Sequence, residues 1–221
     1  MGFFILLLFL MVILFPPLIL PLLVMLGIFL LVFIPFKFAF NSIVVLLSAP
    51  GQIYQIATNK LLRKNHALEH ATINVLEEKY GRGLFFSGLA KENGFFIRGQ
   101  ANPLEVEEAA REGLIRLQQG EENLAVHTRC GTTILVVNLL ASIVFLAILF
   151  GLGAFSLLYV IIAILLANLV GPSLGVSFQR WITTSAKVRD MVIKGVENRS
   201  PQGIPSPGWF FIHTAFLRTL N

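Results

Sequence analysis

The stretch ILVVNLLASIVFLAILFGLGAFSLLYVIIAILLANLV, residues 134–170, contains no charged side chain. It divides into two apolar runs, 134–150 and 154–170, joined by the tight Gly151-Leu152-Gly153. A bilayer crossing takes about 20 apolar helical residues, and a helix satisfies its own backbone where water is absent. The stretch therefore predicts a transmembrane helical hairpin and, with it, a polytopic membrane protein.

Composition agrees. Of 221 residues, 56% are hydrophobic and 13% charged, with 20 phenylalanines. Soluble domains carry about 25% charged residues, so this chain has about half the usual share. The net charge of +5 is unevenly placed. Residues 51–131 hold ten basic and ten acidic side chains, so the excess comes from Lys37 and from the segment after Gly171. A basic segment next to a span is a topology signal, with the lipid bilayer as its partner. Nucleic acid is not an expected partner, because no basic stripe with interleaved aromatics is present. Cys130 is the single cysteine and excludes an internal disulfide. The apolar N-terminus has no basic leader and no small-residue cleavage pattern, so a removable signal peptide is not expected.

Residues 3–36 are also uncharged, but Pro16, Pro17 and Pro21 interrupt them. Proline breaks or kinks helices. Two arrangements stay open: a shallow re-entrant piece followed by one crossing, or one long kinked helix. Pro50-Gly51 is expected to end this block. Helical composition then resumes to Gly81, with Lys60, Arg63 and Lys64 placing the polar region on the cytoplasmic side. Residues 83–101 predict a hairpin turning at Asn93-Gly94. Asn102, Pro103 and Glu105 predict the start of a capped helix that ends at Gly120 and covers the small domain as a solvated lid. After the membrane hairpin, GWFFIHTAFLR (208–218) is expected to form a short aromatic helix lying in the interface.

The chemistry concentrates in His66-Ala67-Leu68-Glu69-His70. Helical residues four apart share a face, so both imidazoles can aim at one metal ion. H-x-x-E-H inverts the H-E-x-x-H motif, in which two histidines hold zinc and the glutamate is general base on metal-bound water. The plain alternative is a helix whose two histidines merely pack or meet solvent. A second cluster, HTRCG (127–131), weighs against it by adding His127 and Cys130. Imidazole and thiolate together suit zinc. The candidate metal ligands are thus His66, His70, His127 and Cys130, the candidate catalytic base is Glu69, and the expected cofactor is Zn2+. Four protein ligands would close the site and make it structural; three would leave a position for water. Sequence alone leaves that choice open. Glu77 and Glu78 sit close along the same helix for a ligand role. Glu105, Glu107, Glu108 and Glu112 are expected on a solvated helix surface, and His213 in the interfacial tail.

Three blocks carry a family resemblance: NHALEHATI (65–73), HTRCGT (127–132) opening the hairpin, and GPSLGVSFQRWITT (171–184). Together they resemble the YqhQ-type family of bacterial membrane proteins of unknown function. A related domain-of-unknown-function family common in photosynthetic bacteria looks closer, sharing LEHAT and the Arg116-Leu117-Gln118, Gly120-Glu121 block. The resemblance runs from residue 63 to about 185. It implies a membrane location and a His/Cys site, but no activity. The likeness to inverted-motif zinc peptidases is confined to five residues.

The expected fold is mainly α: a polytopic membrane protein with three or four hydrophobic segments and a small α+β cytoplasmic domain. Its parts are an N-terminal hydrophobic region (1–49), a small domain with the His/Cys site (50–131), the transmembrane hairpin (132–171) and a basic cytoplasmic tail (172–221). The location is a bacterial plasma membrane or, in a photosynthetic bacterium, the thylakoid. Two functions compete. One is a peptidase-like, zinc-dependent membrane hydrolase. The other is a non-enzymatic assembly or scaffold factor, with a structural metal, serving other membrane proteins of a larger complex.

Overall fold

The computed structural model describes residues 16–81, 85–153 and 156–217, together with positions 5, 7 and 10. Among these, three helices are long and apolar enough to cross a membrane. The first, α1, is Pro16–Thr58. At 1.5 Å per residue its 43 residues extend about 65 Å, roughly twice the hydrocarbon thickness. Pro21, Pro35 and Pro50 all lie inside it. The expected stop at Pro50-Gly51 is therefore corrected: the helix continues to Thr58. A single proline removes only one intrahelical donor, and the flanking apolar turns carry the helix past that loss. From Pro16 onward the block is one long helix, while the expected re-entrant piece at 3–15 falls mostly outside the described residues.

The second and third spans form the expected hairpin. Helix α4 is Gly131–Leu152 and α5 is Leu157–Phe178, and α4 ends on the left-handed Gly153. The two pack closely because glycines face side chains. A Cβ at Gly171 would lie 2.6 Å from Val137, and one at Gly175 would lie 2.7 Å from Thr133. Small residues at such crossings let helix backbones approach where lipid offers no hydrophobic drive. Helix α1 joins them through Ala39 and Phe38, with Phe38 and Phe145 edge to face at 5.0 Å.

The polar domain is built around helix α2, Lys60–Tyr80. The N-cap Asn59 accepts from the Leu62 amide, and Gly81 at φ 80° ends the helix. Strands β1 (Ser87–Lys91) and β2 (Gly94–Arg98) make the expected hairpin, with Lys91 opposite Gly94. The turn residues are Glu92 and Asn93, one position earlier than the sequence implied. Gly94 begins β2 at φ 153°, where a Cβ would sit 2.1 Å from the Ile212 carbonyl oxygen. Helix α3, Pro103–Gln118, carries the expected capping box of Asn102 and Glu105. It is not a solvated lid: Val106, Ala110, Leu114 and Leu117 are buried against α2. Gly113 allows the close crossing, since a Cβ there would stand 3.0 Å from the Ala71 Cβ.

The C-terminal segment differs most from expectation. After α5 come β3 (Met191–Glu197) and β4 (Trp209–Phe216). They complete an antiparallel sheet in the order β1-β2-β4-β3. The segment expected as an interfacial helix is thus a central strand of the polar domain. Its side chains alternate: Phe210 and Ile212 enter the core beside Phe95 and Ile97, while Phe211 packs on Phe96 across the other face. Six of its eight residues are aromatic or apolar, and Phe210, Phe211 and Ile212 are buried on successive faces; only pairing with β2 makes the period of two decisive. His213 is correspondingly a strand residue, 3.2 Å from Glu197.

This placement makes a prediction. Ending the chain at Gly208 removes β4 and leaves the inner ladder edges of β2 and β3 unpaired. The polar domain is expected to lose its protease resistance while the spans stay helical, as checked by limited proteolysis and circular dichroism in detergent. An interfacial helix at the same position would give a truncated protein whose domain resists protease as before.

Candidate metal centre

Helix α2 is unusual in being polar and central. Asn65, His66, Glu69, His70 and Thr72 are all buried. Each needs a partner, because an unpaired polar group away from water costs about 1–3 kcal/mol. The His66 and His70 rings stand 4.4 Å apart on one face, as their spacing predicted. His66 Nδ1 donates to the Thr183 carbonyl at 2.9 Å, and His70 Nδ1 donates to the Ala125 carbonyl at 2.9 Å. Donation from Nδ1 leaves Nε2 as the inward atom of each ring.

Both carbonyls come from loops that close over α2. Ala125 ends a single 3-10 turn, Glu122–Ala125. Asn74 pins that turn by donating to the Leu124 and Val126 carbonyls. Thr183 ends a wide turn, Gln179–Thr183, that continues α5. Cys130 arrives as the N-cap of α4, where its Sγ accepts from the Thr132 amide at 3.4 Å. His66 Nε2 reaches Cys130 Sγ at 3.3 Å. Donor atoms of His66, His70 and Cys130 all lie within 4.8 Å of one another. The buried His70 Nε2 has no hydrogen-bond partner among the described residues.

Charge follows geometry. Burial disfavours a charged His66, but the hydrogen bond that its ring donates to Cys130 and the nearby Glu69 outweigh it and push its pKa to about 9. Burial and then repulsion from His66 lower His70 to about 3. Burial opposes ionisation of Cys130, yet the His66 hydrogen bond and charge carry its pKa below the usual thiol range. His66 and Cys130 thus favour each other's charged forms, beside a His70 that burial keeps neutral. Burial pushes Glu69 above the usual carboxylate range, partly offset by His66 and His70. Its carboxyl lies against β1, where a Cβ at Gly88 would meet Oε1 at 2.2 Å.

His127 stands apart from the three. Its Nε2 is 3.2 Å from Glu77 Oε1, which also pairs with Arg129, and its ring is 6.2 Å from that of His70. Glu77 is thereby engaged away from the cluster, while Glu105 pairs with Lys79 of α2 and Glu107 and Glu112 pair with Arg111 and Arg116 of α3. Sequence reasoning did not single out Gln179. It is fully buried, accepts from the His127 amide at 2.9 Å, donates to the His127 carbonyl at 3.0 Å and bonds the Thr133 hydroxyl. One amide side chain thus ties the end of α5 to the loop carrying Cys130. A glutamine at the end of an otherwise apolar span was the available signal. The two carbonyls holding the histidines leave no signal, because any residue supplies one.

The fold and site define a membrane protein whose α+β domain holds a buried His/His/Cys cluster at the end of its spans. The chain belongs to the DUF6391 family, a domain of unknown function, whose model matches residues 61–196. It is also 32% identical over 164 residues to an uncharacterized protein of Picosynechococcus sp., covering 66% of this chain and 76% of that protein. No solved structure matches.

Gln179→Ala leaves the His127 amide and carbonyl and the Thr133 hydroxyl without their partner. The expected loss is about 2–3 kcal/mol of stability, with metal affinity falling about 10–100-fold. Thermal unfolding and competition with a chromophoric chelator measure the two effects.

Proposed function

We propose that this protein is an integral membrane zinc-dependent hydrolase of peptidase type, with Glu69 as general base. The observation that carries this reading is the convergence of three donor atoms, from His66, His70 and Cys130, with a buried carboxylate on the same helix. Three protein ligands are the catalytic pattern, because the fourth position stays open to water or substrate. The hydrogen bonds at both Nδ1 atoms supply the outer support that zinc-bound histidines require. Zinc held there would polarise a substrate carbonyl and make water acidic enough to lose a proton near neutrality. Glu69, raised toward the range of a working base, would take that proton. The water oxygen joins the carbonyl carbon, the C–N bond breaks, and the proton passes through Glu69 to the leaving nitrogen.

The proposed location is a bacterial membrane, plasma or thylakoid, with the polar domain in the cytoplasm. Support comes from the basic side chains Lys60, Arg63, Lys64, Arg180, Lys187 and Arg189 at the junction of spans and domain. If His127 left Glu77 for the metal, four ligands would close the site, giving the structural metal of an assembly factor.

Substitution separates the two. Glu69→Gln is expected to keep zinc and fold while lowering turnover of a quenched fluorescent peptide library about 10²–10⁴-fold. Cys130→Ala is expected to lose zinc, and His127→Ala to retain it, by elemental analysis of the purified protein. A Glu69→Gln protein as active as wild type would exclude Glu69 as the base, whereas a wild-type protein without turnover that loses zinc with His127→Ala would exclude the hydrolase and leave the structural metal. Zinc uptake should also depend on pH. His66, with a pKa of about 9, must give up its proton to bind. Apparent affinity is expected to rise at least about tenfold per pH unit between about pH 6 and 8, with the His66 proton released on zinc uptake. Calorimetry in buffers of different ionisation enthalpy counts that proton.

A further inference from the structure

We propose, resting on the hydrolase reading, that the substrate is an extended polypeptide segment that adds to the open edge of β1 as a further strand. Strand β1 is the outermost of the sheet, and among the described residues no strand pairs with its other edge. Its register shows which backbone groups are free. Lys91 and Gly94 close a two-residue turn, so they form a hydrogen-bonded pair, and such pairs alternate along an antiparallel ladder. Leu89–Phe96 and Ser87–Arg98 are therefore bonded pairs. Gly88, opposite Ile97, turns its N–H and C=O away from β2; Ala90, opposite Phe95, does likewise, with its C=O free and its N–H given to Glu69. The Gly99–Gly208 hydrogen bond at 3.0 Å on the far side of β2 fits the same alternation. Ser87, Gly88 and Leu89 are exposed, so this edge meets solvent.

The edge and the candidate site coincide. The Glu69 carboxyl lies so close to Gly88 that any side chain there would occupy the space of its Oε1, at 2.2 Å. It also takes a hydrogen bond from the Ala90 backbone. Glu69 is one helical turn from His66 and adjacent in sequence to His70. An added strand would run about 4.8 Å from β1, along the strand residues that Glu69 touches. A row of donors and acceptors repeating every two residues matches a peptide main chain. An acyl chain offers no partner for it. The glycine at 88 therefore admits the base beneath the strand, where any side chain would collide with it. Cys130 directly precedes α4, so the segment that reaches this edge lies at the membrane surface.

The test uses the zinc-loaded full chain in detergent micelles and hydroxamates, which anchor on zinc. Acetohydroxamate reports the metal alone. A mixed-sequence hexapeptide hydroxamate library, the same library N-methylated at alternate residues in each register, and dodecyl hydroxamate report what lies beside it. The expected result is peptide binding at least about tenfold tighter than acetohydroxamate. N-methylation should abolish that gain in one register and spare it in the other, and the Gly88 amide should become protected from hydrogen exchange. No peptide gain, equal binding in both registers, or a gain with the dodecyl compound alone would overturn the edge-strand proposal while leaving a zinc hydrolase standing. Failure of acetohydroxamate itself to bind would overturn the hydrolase reading and this proposal together.

Discussion

The structure depends on keeping polar side chains of α2 satisfied out of water. Five polar residues between Asn65 and Thr72 are buried in the middle of the domain. Buried polar groups persist only when hydrogen-bonded; Thr72 bonds the Leu68 carbonyl within the helix, and each of the other four draws on a different part of the chain. Asn65 bonds the Lys91 and Glu92 carbonyls and accepts from Thr214. His66 uses Thr183, His70 uses Ala125, and Glu69 uses the β1 backbone. The sheet, the 3-10 turn and the end of α5 are thus organised by one helix.

That constraint also couples the domain to the membrane bundle. Arg63 donates to the Trp181 and Thr184 carbonyls, so the first turn of α2 is fastened to the end of α5. Gln179 does the same for the loop before α4. The spans are packed by glycine contacts, which hold α4 and α5 at a fixed separation. Cys130 heads α4 and Thr183 ends the turn that prolongs α5, so the position of the cluster is set by the membrane hairpin as much as by α2. A site assembled this way is rigid on one side and open along β1 on the other.

Much of this was legible in order of residues. The spans followed from uncharged length, the capped α3 from Asn102 and Glu105, and the β1–β2 hairpin from its turn. The pairing of His66 with His70 followed from helical spacing, and the approach of Cys130 from both blocks opening onto one membrane face. Other features were not legible for definite reasons. Pro50 looked like a stop, but one missing hydrogen bond is outweighed when the helix is apolar on both sides. Residues 209–216 looked like an interfacial helix because a short aromatic run carries no unambiguous period. The solvated-lid reading of α3 failed because its charges lie on one face and its alanines, Val106 and leucines on the other.

Sequence by itself determined the spans, the helix that presents two imidazoles together, and the residue types able to hold a metal, because these depend on local length, period and chemistry. Tertiary structure alone decided that β4 returns between β2 and β3, that His127 faces Glu77, and that His66, His70 and Cys130 converge beside Glu69 under an open strand edge. Those outcomes depend on partners as distant in sequence as Gly94 and His213, His66 and Cys130, or Glu77 and His127, and no local pattern encodes which distant partner satisfies a buried polar group.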